Sequence, residues 1–188
     1  MTTILVLTAL ESELKAARAP QGVEVRYCGV GKVNTAIATT VALLETKPTL
    51  VVNYGTCGKI TENLHGLLDI ARVVQRDMMA MPLAPRGVTP LCDDASVLAS
   101  GFGVHVCGTG DSFVTSVDPW LIENGVDVVD MELFAIAQAC QRFGVPWRAF
   151  KFITDDANDE AHEHWTANVA NGEDLFWEAL RRDVLGRS

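Results

Sequence analysis

A chain of 188 residues, 48% of them hydrophobic and 21% charged, has enough apolar mass for one continuous core and the wrong balance for disorder. The formal charge of −9 argues against a nucleic-acid or anionic-membrane surface. No apolar run approaches the roughly 20 residues of a spanning helix, and the start Met1-Thr2-Thr3-Ile4 lacks the basic region of a signal peptide. Five cysteines without a CxxC pair fit reduced thiols in a cytoplasmic protein, and residues 1–188 read as one domain.

In chain order, Ile4-Leu5-Val6-Leu7 predicts a short buried strand, and residues 11–18 favour a helix that stops before Pro20. Residues 23–28 alternate as a half-buried strand. After Gly29-Val30-Gly31, Val33, Ile37, Val41 and Leu44 form one face of a helix, joined by Ala36 and Thr40, with Pro48 marking its end. Leu50-Val51-Val52-Asn53-Tyr54 predicts a second buried strand, stopped by Gly55. Residues 70–74, 104–107 and 126–129 predict three more. The last of these feeds a helix whose stripe is Leu133, Ile136, Ala137 and Cys140, closed by Gly144 and Pro146. Residues 147–153 predict the final strand, and Leu175, Phe176, Ala179 and Leu180 the final helix. Residues 78–94, with Pro82, Pro85, Gly87 and Pro90, read as a mobile loop. Strands alternating with helices make this an α/β fold, a single-domain mixed β-sheet flanked by helices.

In open α/β sheets ligands bind beyond the carboxyl ends of strands. That rule selects residues 8–13, 29–32, 54–58, 109–114, 130–132 and 154–158. Acidic residues at such ends stand out, because charging a carboxylate beside a buried element costs free energy that packing does not return. Asp130 and Glu132 lie at the start of one helix, Asp155 closes a strand, and Glu11 and Glu13 follow the first strand. Singly, Asp130 reads as a cap and Asp155 as a turn residue. Together the carboxylates point to chemistry.

Other motifs carry less. Gly29-Val30-Gly31-Lys32 lacks the first glycine of a phosphate loop and has Val33 where Ser or Thr is required. His162-Glu163-His164 is not HExxH and has no third ligand nearby, so it reads as a solvated helix start and no metal is expected. Cys57 has no histidine partner in sequence and reads as a small buried residue.

Six segments in order resemble the purine nucleoside phosphorylase and nucleosidase superfamily, most closely the methylthioadenosine/S-adenosylhomocysteine nucleosidases. They are Leu7-Thr8-Ala9-Leu10-Glu11-Ser12-Glu13, Cys28-Gly29-Val30-Gly31-Lys32-Val33-Asn34, Asn53-Tyr54-Gly55-Thr56-Cys57-Gly58, Gly108-Thr109-Gly110-Asp111-Ser112-Phe113-Val114, Asp130-Met131-Glu132 and Thr154-Asp155. The resemblance implies a nucleoside phosphorylase-like fold and cleavage of a purine N-glycosidic bond without a cofactor. In that scheme Asp155 is the acid that protonates the leaving base, and Glu13 the base that activates water. Glu132, helped by Met131, grips the ribose hydroxyls. Phe113 stacks on the purine, the Val114 backbone reads its edge, and Thr56 lies near sugar or water. Asp130 replaces the family's usual glutamate, and Lys151 stands where the nucleosidases carry an arginine near the water.

Related phosphorylases hold phosphate with an arginine at the Asn53 position and a further basic residue in the first turn, where this chain has Glu11 and Glu13. Two carboxylates there would repel phosphate, which favours water and a hydrolase. Phosphorolysis and a catalytically silent nucleoside-binding protein remain the alternatives. The base is a purine, adenine first. The 5′ substituent is open among methylthio, homocysteinyl, futalosine-type, lipid and plain hydroxyl groups. Met78, Met79, Met81, Pro82 and Leu83 form an apolar segment expected at a homodimer interface or over the neighbouring site, or else folded back on its own domain.

Overall fold

A computed structural model describes residues 3–116, 118–155, 168 and 170–187. Its strands are β1 (Ile4–Thr8), β2 (Val23–Tyr27), β3 (Leu50–Lys59), β4 (Leu67–Gln75), β5 (Val97–Ala99), β6 (His105–Thr109), β7 (Val128–Asp130) and β8 (Trp147–Asp155). Its helices are α1 (Lys32–Thr46), α2 (Pro119–Glu123), α3 (Leu133–Phe143) and α4 (Glu173–Asp183), with short 3-10 turns at Ala16–Arg18 and Leu185–Arg187.

The strands form one mixed sheet in the order β2-β1-β3-β7-β6-β4-β5, and β8 pairs with both β3 and β4. β8 runs parallel to β3 and antiparallel to β4, while β7 is parallel to β6 and antiparallel to β3. These pairings close a ring through β3, β8, β4, β6 and β7, so strand ends arriving from opposite directions meet. The meeting point is the end of β3, where Gly58 pairs with Val129 of β7 on one side and with Asp155 of β8 on the other.

Period-two alternation places the core on both faces. Leu5 and Leu7 of β1 face a cluster built on α3, with Leu133, Phe134, Ile136, Ala137 and Cys140. Ile4 and Val6 face the other way, onto Phe176, Trp177, Ala179 and Leu180 of α4. Burying side chains of this size stabilises the fold by about 1.5–3 kcal/mol each, and it fixes α3 on its expected stripe and α4 on Phe176, Ala179 and Leu180, with Trp177 buried and the expected Leu175 left 43% exposed.

Three expectations are corrected. Residues 11–18 do not form an α-helix. The amides of Ala9 and Leu10 donate to the Glu13 carboxylate and that of Lys15 to Glu173, so side chains satisfy the backbone locally. The strand through Tyr54 does not stop at Gly55 but continues to Lys59, Gly55 pairing with Lys151 of β8. A Cβ on residue 55 would lie 3.0 Å from Lys151 Nζ, so glycine here reflects the approach of an ammonium rather than a chain break. The expected apolar face of α1 is the outer one. Val33 and Ile37 are 70% and 62% exposed, and the helix buries Thr35, Thr39, Ala42 and Leu43 instead.

Candidate active site

One cavity of about 280 Å³ opens where these strand ends meet. Glu13, Thr56, Phe113, Val114, Asp130, Met131, Glu132 and Asp155 all line it, joined by Leu10, Val30 and Arg76. Lys151 is absent from that lining. It is fully buried beneath the cavity, with Nζ 2.6 Å from Asp130 Oδ2.

Glu13 is held by five donors. Oε2 accepts from the Thr8 hydroxyl and from the amides of Ala9 and Leu10, each at 3.1 Å. Oε1 accepts from the Thr56 amide at 3.0 Å and the Thr56 hydroxyl at 2.9 Å. The three amides are fixed by backbone, whereas the two hydroxyls can rotate. A water reaching Glu13 therefore replaces a threonine hydroxyl bond.

Asp130 and Glu132 lie two residues apart in opposite surroundings. Asp130 accepts from the Thr109 hydroxyl at 2.5 Å, the Leu133 amide at 2.8 Å and Lys151. Burial pushes its pKa up, but the Lys151 ammonium and these hydrogen bonds overcome burial and hold it below the ordinary aspartate value. The reciprocal effect raises Lys151: burial opposes its charge, and the Asp130 carboxylate more than offsets that. Glu132 accepts one bond, from the Gly31 amide at 2.9 Å. Burial, then repulsion from Asp130, raises its pKa to about 7.

Asp155 is buried at the end of β8, and its Oδ2 accepts from the Thr154 hydroxyl at 3.0 Å. Phe113 presents a ring that is 45% exposed, and Val114 follows it into a half-buried position. Cys57 also lines the cavity, but burial raises its thiol pKa strongly, so it stays protonated. Asn53 is buried within the sheet, its Nδ2 donating to the Leu7 carbonyl at 2.9 Å and to that of Tyr54 at 3.2 Å.

The sequence reading overlooked Arg76. The strand-end rule omitted the end of β4, yet an arginine directly after Val73-Val74-Gln75 in an acidic chain was a usable signal. The segment His162-Glu163-His164 lies outside the described residues.

A family model described as the phosphorylase superfamily matches residues 18–181. The chain is 31% identical over 170 residues to the 5′-methylthioadenosine/S-adenosylhomocysteine nucleosidase of Staphylococcus aureus strain MRSA252, covering 77% of this chain and 73% of that protein. The chain belongs to the phosphorylase superfamily, in its methylthioadenosine/S-adenosylhomocysteine nucleosidase branch. Its fold matches that of a Helicobacter pylori MTAN mutant solved with 5′-methylthioadenosine in the active site, at TM-score 0.87 and 21% identity over 98% of this chain and 100% of that one. It also matches native futalosine hydrolase of Helicobacter pylori strain 26695, at TM-score 0.85 and 22% identity over 97% and 98% of the two chains.

Proposed function

We propose that the chain is a purine nucleosidase: it hydrolyses the N-glycosidic bond of a purine nucleoside, adenine first, with a modified 5′ position. The observation that carries this is the convergence of Glu13, Glu132 and Asp155 on one cavity whose lining includes no uncommitted phosphate-binding arginine among the described residues. Arg76, the cation in that lining, donates to Gly110 and Ser112, while Lys151 is bound to Asp130. Asn53, where a phosphorylase would need its arginine, is turned into the sheet.

The nucleoside enters with its base against Phe113 and the Val114 backbone, and its sugar between Met131, Glu132 and the first turn. Asp155 gives a proton to the departing base. Ribose hydroxyls donate to Glu132, which draws it into its ionised form and sets negative charge beside the cationic sugar. Water takes the place of a threonine hydroxyl on Glu13, gives up its proton there and attacks the anomeric carbon. Asp130 and Lys151 support this arrangement from below. Thr56 trades its bond to Glu13 for one to water. The test is free-base release from 5′-methylthioadenosine with and without phosphate. Release without phosphate is expected, and strict dependence on phosphate overturns hydrolysis.

The active form we propose is a cytoplasmic homodimer of one-domain subunits, residues 1–188. No helix among the described residues is long and apolar enough to cross a membrane. Val33, Ile37, Val41 and Leu44 of α1 are exposed, as are Met79, Met81 and Leu83 after β4, and Lys32 Nζ at the start of α1 pairs with Asp77 Oδ1 at 2.5 Å. Exposed apolar side chains in this number are unfavourable in water. Ile37→Lys is expected to convert dimer to monomer in light scattering, and a wild type that is monomeric at high concentration rules the dimer out.

A further inference from the structure

Arg76 follows β4 and is only 6% exposed, yet it has no carboxylate hydrogen-bond partner among the described residues. Its Nη2 donates to the Gly110 carbonyl at 2.9 Å and to the Ser112 carbonyl, and its Nη1 donates to Ser112 Oγ at 3.2 Å. Nε is buried without a partner among the described residues. Burying a guanidinium against neutral acceptors carries a desolvation penalty, and burial indeed lowers its pKa. A side chain needed only to fill space here would be apolar.

The geometry around it is closely fitted. A Cβ on Gly110 would lie 2.9 Å from Arg76 Cζ, so the turn runs in direct contact with the guanidinium and leaves no room for a side chain. The other side of the turn is tied as well. The Asp111 amide donates to Asp77 Oδ2 at 2.9 Å, and Asp111 Oδ1 accepts from the Lys32 amide at 2.7 Å. Residues 110–116 contain no helix or strand, so these contacts, rather than a ladder, set the path of the chain into Phe113 and Val114.

We propose that Arg76 is a positioning residue for purine recognition: by binding both carbonyls of the Gly110–Ser112 turn it presents the Phe113 ring and the Val114 backbone to the base, and so sets how strictly the base is selected. This rests on the nucleosidase reading. The backbone at Val114 distinguishes a 6-amino from a 6-oxo purine only if its position is fixed, because the two bases reverse donor and acceptor along that edge. Lysine replaces arginine only in part here, since the guanidinium serves the two carbonyls from Nη2 and the Ser112 hydroxyl from Nη1 at once, in a fixed geometry that a flexible ammonium lacks.

The test compares wild type with Arg76→Met and Arg76→Lys, and with Arg76→Gln should the methionine variant not fold. Turnover is measured on 5′-methylthioadenosine and 5′-methylthioinosine, binding of free adenine and hypoxanthine by calorimetry, and melting temperature on the same preparations. Arg76→Met, or Arg76→Gln in its place, is expected to raise KM on the preferred nucleoside about tenfold with kcat within about threefold. The preference between the two bases should narrow by a similar factor, with Arg76→Lys recovering only part. A variant with wild-type KM and base preference, altered only in melting temperature, overturns the proposal. A wild type that binds the bases but releases none from either nucleoside overturns the nucleosidase reading instead, and the base-binding ratio then decides on Arg76 alone.

Discussion

The floor and the walls of the cavity handle buried charge in opposite ways. On the floor, Asp130 is matched by Lys151, Thr109 and the Leu133 amide, and its charge is stabilised. On the wall, Glu132 has a single amide and a pKa of about 7. The same tripeptide, Asp130-Met131-Glu132, thus supplies one carboxylate that the fold stabilises and one that it does not. Changes to the floor should therefore cost stability, and changes to the wall should cost function while relieving the fold.

The largest effect is expected from Lys151→Met, which leaves Asp130 buried without its cation. Removing one partner of such a pair destabilises by about 3–5 kcal/mol. In wild type, Asp130 sits below its ordinary value, so its contribution is present above that value and lost as pH falls through the folded pKa. In the variant only the Thr109 hydroxyl and the Leu133 amide oppose burial, so Asp130 rises and the deficit should shrink as pH is lowered. Urea unfolding at pH 5 and pH 8 reads both signs. Equal stability of the two proteins at pH 8 would show that the pair does not hold the floor.

Next comes Glu132→Gln. With a folded pKa of about 7 against 4.5 unfolded, ionised Glu132 destabilises the fold by about 3 kcal/mol at pH 8, an effect that grows from pH 4.5 and levels off above 7. Replacing it by glutamine is expected to raise stability at pH 8 by up to that amount, and to do nothing near pH 4.5. With sugar hydroxyls donating to the ionised form, as proposed above, wild-type KM should fall as pH rises from 6 to 8, and the variant should lose that dependence while binding more weakly. A KM flat across this range in wild type contradicts the assignment.

Asp155→Asn is expected to lower kcat by roughly 10², equivalent to about 2.7 kcal/mol, with little change in KM or melting temperature. Glu13→Gln should be comparably damaging to turnover. Near-normal kcat in Asp155→Asn would place Asp155 with the floor, as a structural residue.

Much of the candidate site could be read from the sequence because it lies at strand ends, where a change from apolar to acidic or glycine is visible locally. Glu13, Thr56, Phe113, Val114, Asp130, Met131, Glu132 and Asp155 were all expected at the site and do share one cavity. Lys151 was harder to place. It lies mid-strand among Phe150, Phe152 and Ile153, and only the pairing of β8 with β3 shows that its ammonium lies beneath the cavity against Asp130. Arg76 was missed because the end of β4 was left out of the strand ends considered, although β4 runs parallel to β6, whose end supplied residues 109–114.

Side-chain periodicity is a local property, so the sequence by itself determined most of the strands and the helices α1, α3 and α4; it also predicted a helix over residues 11–18 that does not form, and it left β5 and α2 unread. The stripe of α3 was placed correctly; on α4, Phe176, Ala179 and Leu180 are buried as expected, but Leu175 is 43% exposed and Trp177 is buried instead. The sequence could not determine which side of α1 packs: Thr35, Thr39, Ala42 and Leu43 are turned inward where the helix lies close against α3, and the more apolar stripe is left outside. That choice depends on small side chains allowing close approach of the two helices and on surfaces distant in sequence. The carboxylates were likewise visible as residues, but their charge states were not. Tertiary structure alone supplies Asp130 with an ammonium and Glu132, among the described residues, with one amide, because desolvation and pairing act through space.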